Sequence, residues 1–310
     1  MAGDRVVAVV GATGKQGGGL VRAIAADTAG GFVARALTRD GKSEAARQLA
    51  DLGVEVVEAD LDEPASIEAA FAGAYGAYCV TFPSAGFGPE KEIEHARTMA
   101  DAAHGNGLAH VIWSTLEDTR DFVSLDDERM PTLLGKYKVP PFDVKGEADA
   151  VFAEVPTTFL RTTFYWENMF FPVLGPKRDT DGTLTLTLPL GGAKLAGIAA
   201  QDIGRCAYAI LRRPELIGET VSITGENLTG TQMAAALTAA PGESVRFKDI
   251  APADFRGLFP GADAIGNMFQ FYQDFEDTCI GARDRQVVLR LHPGLLGFAD
   301  WLVLNSQVMS

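Results

Sequence analysis

Val6-Val7-Ala8-Val9-Val10 runs straight into Gly11-Ala12-Thr13-Gly14-Lys15-Gln16-Gly17-Gly18-Gly19. The first five residues form an apolar, β-branched run of strand length. From Lys15 to about Thr28, Leu20, Val21, Ile24 and Ala25 share one stripe of a helix that Gly30-Gly31 ends. Between a strand and a helix, glycines spaced GxxGxxG have a mechanical reading. Gly11 permits a tight turn and Gly14 lets backbone N–H groups approach a pyrophosphate at the helix N-terminus, while Gly17 lets the helix pack closely on the strand. The stretch points to a dinucleotide-binding loop in which Thr13, Lys15 and Gln16 are the remaining candidate contacts.

Glycine triplets also occur in ordinary turns, so the surrounding pattern decides. Strand runs recur at Phe32–Thr38, Val54–Glu58, Ala77–Phe82 and His110–Thr115, separated by helical segments at Ser43–Leu52, Ala65–Phe71 and Pro89–Ala103. Such alternation requires parallel crossovers, and the nearly continuous apolar strands suit a sheet covered on both faces. The fold class is α/β, a doubly wound parallel sheet. Further on come a strand at Thr157–Thr163, a helix at Asp202–Leu211, a strand at Thr220–Thr224, and alternating Leu184–Leu188, which reads as an exposed antiparallel strand. From about Thr231 helices dominate, with a strand at Val245–Asp249. The aromatics Phe269, Phe271, Tyr272 and Phe275 form either a cap core or a partner surface. The expected division is a dinucleotide-binding domain over residues 1–160, also receiving strands from about 195–225, and a smaller interleaved α/β cap over 161–310.

The tip of the second strand selects the dinucleotide. NAD sites place Asp or Glu there for the ribose 2′-OH, and NADP sites a cation. Here it reads Leu37-Thr38-Arg39-Asp40-Gly41-Lys42. Arg39 can stack on adenine and pair with a 2′-phosphate while Lys42 adds charge, which favours NADP(H). The alternative is a solvated arginine paired with Asp40. At the other strand ends, Asp60 and Leu61 can reach the adenine, unless Asp60 merely caps the next helix. Thr81, Phe82 and Pro83 are placed to line the ribose and nicotinamide side, and Ser114 stands at nicotinamide depth.

The 310 residues carry 27 Lys and Arg against 41 Asp and Glu, a net charge of −14. That balance disfavours direct binding to nucleic acid or an anionic membrane. No apolar run approaches the ~18 residues of a membrane span. The few residues before Val6 leave no room for a secretory signal, and Cys79, Cys206 and Cys279 are too scattered for a disulfide scaffold, so a cytoplasmic protein is expected. His95, His104, His110 and His292 lack metal-ligand spacing. Neither a GxSxG elbow nor the Gly-Lys-Ser/Thr ending of a P-loop occurs.

Several segments together resemble a known group. The glycine loop, Leu37-Thr38-Arg39, Asp60-Leu61-Asp62 and Lys145-Gly146-Glu147 are similar to the NmrA-like branch of the atypical short-chain dehydrogenase/reductases. So are Arg161-Thr162-Thr163-Phe164-Tyr165-Trp166-Glu167-Asn168, Phe259-Pro260-Gly261-Ala262 and Asn267-Met268-Phe269, and the resemblance runs from about Arg5 to Leu302. Within that branch the chain is most similar to members proposed as NADP(H) redox sensors. The resemblance implies a Rossmann-type domain, a small C-terminal α/β subdomain, NADP(H) between them, and Lys145, Phe164, Tyr165 and Asn168 as cofactor contacts.

One departure matters for chemistry. The wider superfamily uses Tyr-x-x-x-Lys, the lysine lowering the pKa of a proton-donating phenol. In Val139-Pro140-Pro141-Phe142-Asp143-Val144-Lys145 the phenol's place is taken by Pro141, and Tyr137 is out of register. Lys145 remains as the candidate proton handler, as some tyrosine-less relatives use it, or as a plain surface lysine. Tyr165 is a weaker substitute that more readily packs on the nicotinamide or the core. Two functions follow. One is an NADP(H)-binding regulator, possessing a protein partner or homodimer mate and mobile parts at Thr81–Pro89 and Glu117–Pro141. The other is an NADPH-dependent reductase of a quinone, dye or conjugated carbonyl, its small apolar substrate held by Phe164, Tyr165 and Trp166.

Overall fold

In the computed structural model, residues 4–82, 88–171, 173–240 and 243–305 are described below. The chain divides into two compact units, one of Met1–Glu117, Val144–Thr162 and Ala200–Val221, the other of Asp118–Asp143, Thr163–Ala199 and Ser222–Ser310.

The first unit alternates strands and helices: β1 (Arg5–Val9), α1 (Lys15–Ala26), β2 (Phe32–Thr38), α2 (Glu44–Ala50), β3 (Glu55–Glu58), α3 (Pro64–Phe71), β4 (Gly76–Cys79), α4 (Pro89–Gly105) and β5 (His110–Thr115). Later come α5 (Pro140–Asp149), which begins in the other unit, and β6 (Thr157–Arg161). Among the described residues the sheet has seven strands, ordered β11-β6-β5-β4-β1-β2-β3, its edge strand β11 being Thr220–Ser222. The pairs β1–β2, β2–β3, β1–β4, β4–β5 and β5–β6 are parallel. From β1 the chain moves outward through β2 and β3, then returns to the other side through β4, which puts the topological switch between β1 and β4. Trp113 of β5 stacks on Phe152 at 4.7 Å within the buried core. Helix α6 (Ala200–Leu211) lies against α1, where a Cβ on Gly19 would stand 2.8 Å from Gln201 O and one on Gly204 would strike the α1 backbone. The glycine run thus continues past the loop because two helices meet there.

The second unit holds β7 (Phe164–Tyr165), β8 (Lys177–Arg178), β9 (Leu184–Leu188), β10 (Lys194–Ile198), β12 (Glu226–Thr229), α7 (Gly230–Ala239), β13 (Val245–Asp249), α8 (Pro252–Arg256), α9 (Ala262–Asp274) and further short helices. Among the described residues two three-stranded sheets form, β12-β10-β7 and β13-β9-β8. Phe269 packs on Phe164 and Phe255 at 6.0 and 5.6 Å. Phe269, Phe271 and Tyr272 are buried, so this aromatic group is core.

Four expectations change. Leu184–Leu188 is not an exposed antiparallel strand: β9 runs parallel to β13 and antiparallel to β8, and Leu186 and Leu188 are fully buried. Its Thr185 face is covered as well, by the Arg246 guanidinium at 3.3 Å. The strand expected over Thr157–Thr163 stops at Arg161, because the Thr163 hydroxyl turns to Ala196 O and starts β7 beside β10. Of the strands near 195–225, among the described residues, only β11 joins the large sheet. Residues 118–143 cluster with the second unit and are tied by hydrogen bonds rather than left loose. Lys138 Nζ donates to the carbonyls of Leu125, Asp127 and Met130, and Asn267 Nδ2 donates to those of Pro131 and Lys138.

Candidate functional site

The C-terminal ends of β1, β2 and β3 open on a cleft of about 500 Å³ lined by Gly11, Thr13, Gly14, Leu37, Arg39, Asp60, Leu61, Phe82 and His95, among others. The volume is that of a small-molecule site, at the switch point where doubly wound sheets take ligands. Gly11 adopts φ +65°, a left-handed turn, and its carbonyl accepts from Gly14 N at 2.8 Å. A Cβ on Gly17 would lie 2.5 Å from Gly11 O and 2.8 Å from its carbonyl carbon, so this glycine lets α1 sit against the turn. The first turn of α1 carries no acidic residue, which leaves its dipole free for an anion.

At the cleft's far wall Arg39 is exposed, as is Lys42 beside it. Asp40 Oδ1 accepts from Lys42 N at 2.9 Å, so the carboxylate nearest the tip is engaged by its own turn. Asp60 accepts from Asp62 N and does not cap α3, whose N-cap is Glu63. Asp62 takes Nε2 of His95 at 2.9 Å and Nζ of Lys91 at 2.6 Å, and these two partners hold its carboxyl down to about 2. The Phe82 ring, 51% exposed, lies over Gly11 and Gly14. Pro83 and most of the proposed mobile loop lie outside the described residues.

Behind the loop, Gln16 Oε1 accepts from Ser114 Oγ at 2.9 Å and from the Tyr78 hydroxyl. Lys145 is not a surface lysine. It is 7% exposed, with Nζ donating to Thr81 Oγ1 at 2.8 Å and Thr81 O at 3.1 Å, and Glu92 Oε1 lies 3.3 Å away. Burial pushes the amine's pKa down and Glu92 opposes that. Asp149, one turn further along α5, accepts from Trp113 Nε1 at 2.8 Å and Thr115 Oγ1 at 2.6 Å, and burial raises it to about 6. Because the folded-state pKa is raised, proton uptake favours the fold below about pH 4, and the benefit is lost as pH rises through about 6. Asp149→Asn keeps one carbonyl oxygen for both donors. It should be more stable than the parent by about 2 kcal/mol at pH 7 and equal to it near pH 4, as read by urea unfolding across pH.

Phe164, Tyr165 and Asn168 belong to the second unit. Within that unit Phe164 and Trp166 are both buried, Trp166 packing on Phe298 at 5.4 Å. Sequence reasoning missed Glu92, Tyr78, Asp149 and the His95–Asp62 pair. Glu92 had a signal. With Ala96, Met99 and Ala103 it sits at helical spacing on the buried face of α4.

The NmrA-like family model matches residues 3–302. The chain belongs to the NmrA-like family. An NmrA-like family domain-containing oxidoreductase, FrzB of Cladobotryum sp, is 29% identical over 296 residues, covering 86% of this NmrA-like chain and 84% of that relative. An NmrA-like family domain-containing protein of Dictyostelium discoideum is 26% identical and covers 96% and 97%. Among solved structures, NmrA, a negative transcriptional regulator, in complex with NADP superposes with TM-score 0.75 at 21% identity, covering 97% and 94%. The Citrobacter sp. triphenylmethane reductase complexed with NADP(H) gives 0.74 at 18%, covering 97% and 99%. At such identities the two structures speak for the fold of the NmrA-like chain.

Proposed function

We propose that the chain binds NADP(H) at the cleft of its first unit and acts in the cytoplasm as a redox-state regulator through a protein partner. The observation that supports this reading is a cleft of about 500 Å³ at the glycine loop, in a chain that carries Pro141 at the sequence position of the superfamily's tyrosine and whose Lys145 is already committed to Thr81 and Glu92. The likeness to NmrA, a regulator solved with NAD and with NADP, supports it. Gly11–Gly17 and the α1 N-terminus would hold the pyrophosphate, and Arg39 and Lys42 the 2′-phosphate. A bound nicotinamide supplies or accepts hydride. Regulation requires that the two cofactor forms, or the bound and free states, differ in affinity for two conformations.

A second reading, an NADPH-dependent reductase, is favoured by the relatives described as oxidoreductases and by the likeness to a dye reductase. One experiment separates the two. NADPH, NADP+ and NADH are titrated calorimetrically, limited proteolysis and oligomeric state are followed with each, and NADPH oxidation is assayed against quinones, dyes and conjugated carbonyls with Lys145→Ala alongside. Tight NADPH binding, altered proteolysis and no oxidation support the regulator. Turnover that collapses in Lys145→Ala while binding persists establishes the reductase. Arg39→Ala should weaken NADPH binding roughly ten- to a hundredfold and NADH binding far less, since NADH loses only the adenine stacking. Equal loss for both cofactors would remove the 2′-phosphate role.

A further inference from the structure

The Glu92 carboxylate is 7% exposed and is spent on two neighbours. Thr81 Oγ1 donates to Glu92 Oε1 at 2.6 Å, and Lys145 Nζ approaches the same oxygen at 3.3 Å. With the hydroxyl and carbonyl of Thr81, that makes three acceptors around Nζ, and an ammonium has three N–H bonds to give. Thr81 immediately precedes Phe82, whose ring covers Gly11 and Gly14. We propose that Glu92 is a positioning residue of the cofactor site: it keeps Lys145 as a charged clasp on Thr81 and so fixes the Phe82 side of the cleft.

An amine buried among neutral acceptors alone gives up its proton, so the clasp needs an anion. Among the groups facing Lys145, Glu92 is the acid in contact with Nζ, and Asp149 adds a weaker attraction. From its own helix comes Asp149, whose oxygen already serves Trp113 and Thr115 and which also faces Arg161. From β5 comes the Trp113 ring, its centroid 5.2 Å from Nζ, a weak cation–π partner. Glu92 also stands in the first turn of α4, where the helix dipole favours an anion. On this arrangement Lys145 is a fixed cation with its donors used, and Glu92 decides whether it stays one.

The inference rests on the reading of the cleft as an NADP(H) site. The test is NADPH titration of the parent, Glu92→Gln, Thr81→Ser and Thr81→Val from about pH 6 to 9, with the Lys145 side chain titrated by NMR in 13C-lysine-labelled protein. The parent should hold its affinity across the range, and Thr81→Ser, which keeps the hydroxyl that Lys145 and Glu92 share, should bind more tightly than Thr81→Val at every pH. Glu92→Gln should bind roughly tenfold more weakly, the loss growing as pH rises and the amine deprotonates, and Thr81→Val should also weaken binding. The Lys145 resonance should titrate at lower pH in Glu92→Gln than in the parent. Parental affinity and pH profile in Glu92→Gln overturn the proposal. So does a loss independent of pH with an unmoved lysine titration, since that marks a merely structural carboxylate. If Glu92→Gln fails to fold, the two Thr81 variants decide: equal binding by both overturns the clasp. If the parent binds no NADPH, the cofactor reading fails, and the lysine titration alone judges whether Glu92 holds the charge.

Discussion

Gly17→Ala should abolish NADPH binding and cost about 3 kcal/mol or more of stability. The added methyl would stand 2.5 Å from Gly11 O, 2.8 Å from Gly11 C and 3.0 Å from Val10 O, all backbone atoms that cannot rotate away. Relief requires α1 to move off the end of β1, which opens the Gly11 turn and withdraws the helix N-terminus from the cleft. Two other glycines calibrate the effect. At Gly18 the nearest atoms are Ala12 O and the flexible end of Arg22, both at 3.1 Å, so alanine there should cost less. At Gly105, the last residue of α4, nothing lies within 4 Å, and alanine should be neutral or stabilising by up to ~1 kcal/mol. Urea unfolding and NADPH titration of the three variants check the order. A Gly17→Ala protein that binds like the parent would remove the loop from the cofactor site.

The loop was legible because its information is local. Gly11, Gly14 and Gly17 act through backbone geometry within a few residues of one another, and the strand periodicity around them needs no partner to be read. Strand β2 shows the same thing, with identical bounds in sequence and structure. What lay hidden depends on residues far apart in the chain. Glu92 reads as one acid in a charged first turn, Pro89-Glu90-Lys91-Glu92, until the sheet brings Thr81 and Lys145 to it. Strand β9 reads as an exposed antiparallel strand because its parallel neighbour β13 is about sixty residues away and brings Arg246 over the threonine face. The segment Glu117–Pro141 reads as mobile because the side chains that tie it, Lys138 and Asp143, bond to backbone groups, which leave no trace in a hydropathy pattern.

That last tie carries the second large effect. Asp143→Ala should destabilise the second unit by about 3–5 kcal/mol. Oδ1 of Asp143 accepts from Thr119 N at 2.8 Å and from the Thr119 hydroxyl, while Oδ2 accepts from Lys138 N at 2.7 Å and Val139 N at 3.0 Å. The side chain is fully buried, so alanine leaves three backbone N–H groups without an acceptor where water does not reach. Asp143→Asn separates shape from chemistry. Its single carbonyl oxygen can satisfy Thr119 but then turns an amide N–H₂ toward Lys138 N and Val139 N, donor against donor, so it should lose nearly as much as alanine. The readout is urea unfolding together with amide hydrogen exchange over residues 118–143, where protection should fall first because the segment's ends meet at this carboxylate. An Asn variant as stable as the parent would mean that the protonated acid, not the four-donor carboxylate, holds the segment, and exchange that rises uniformly over the chain would deny it a local role.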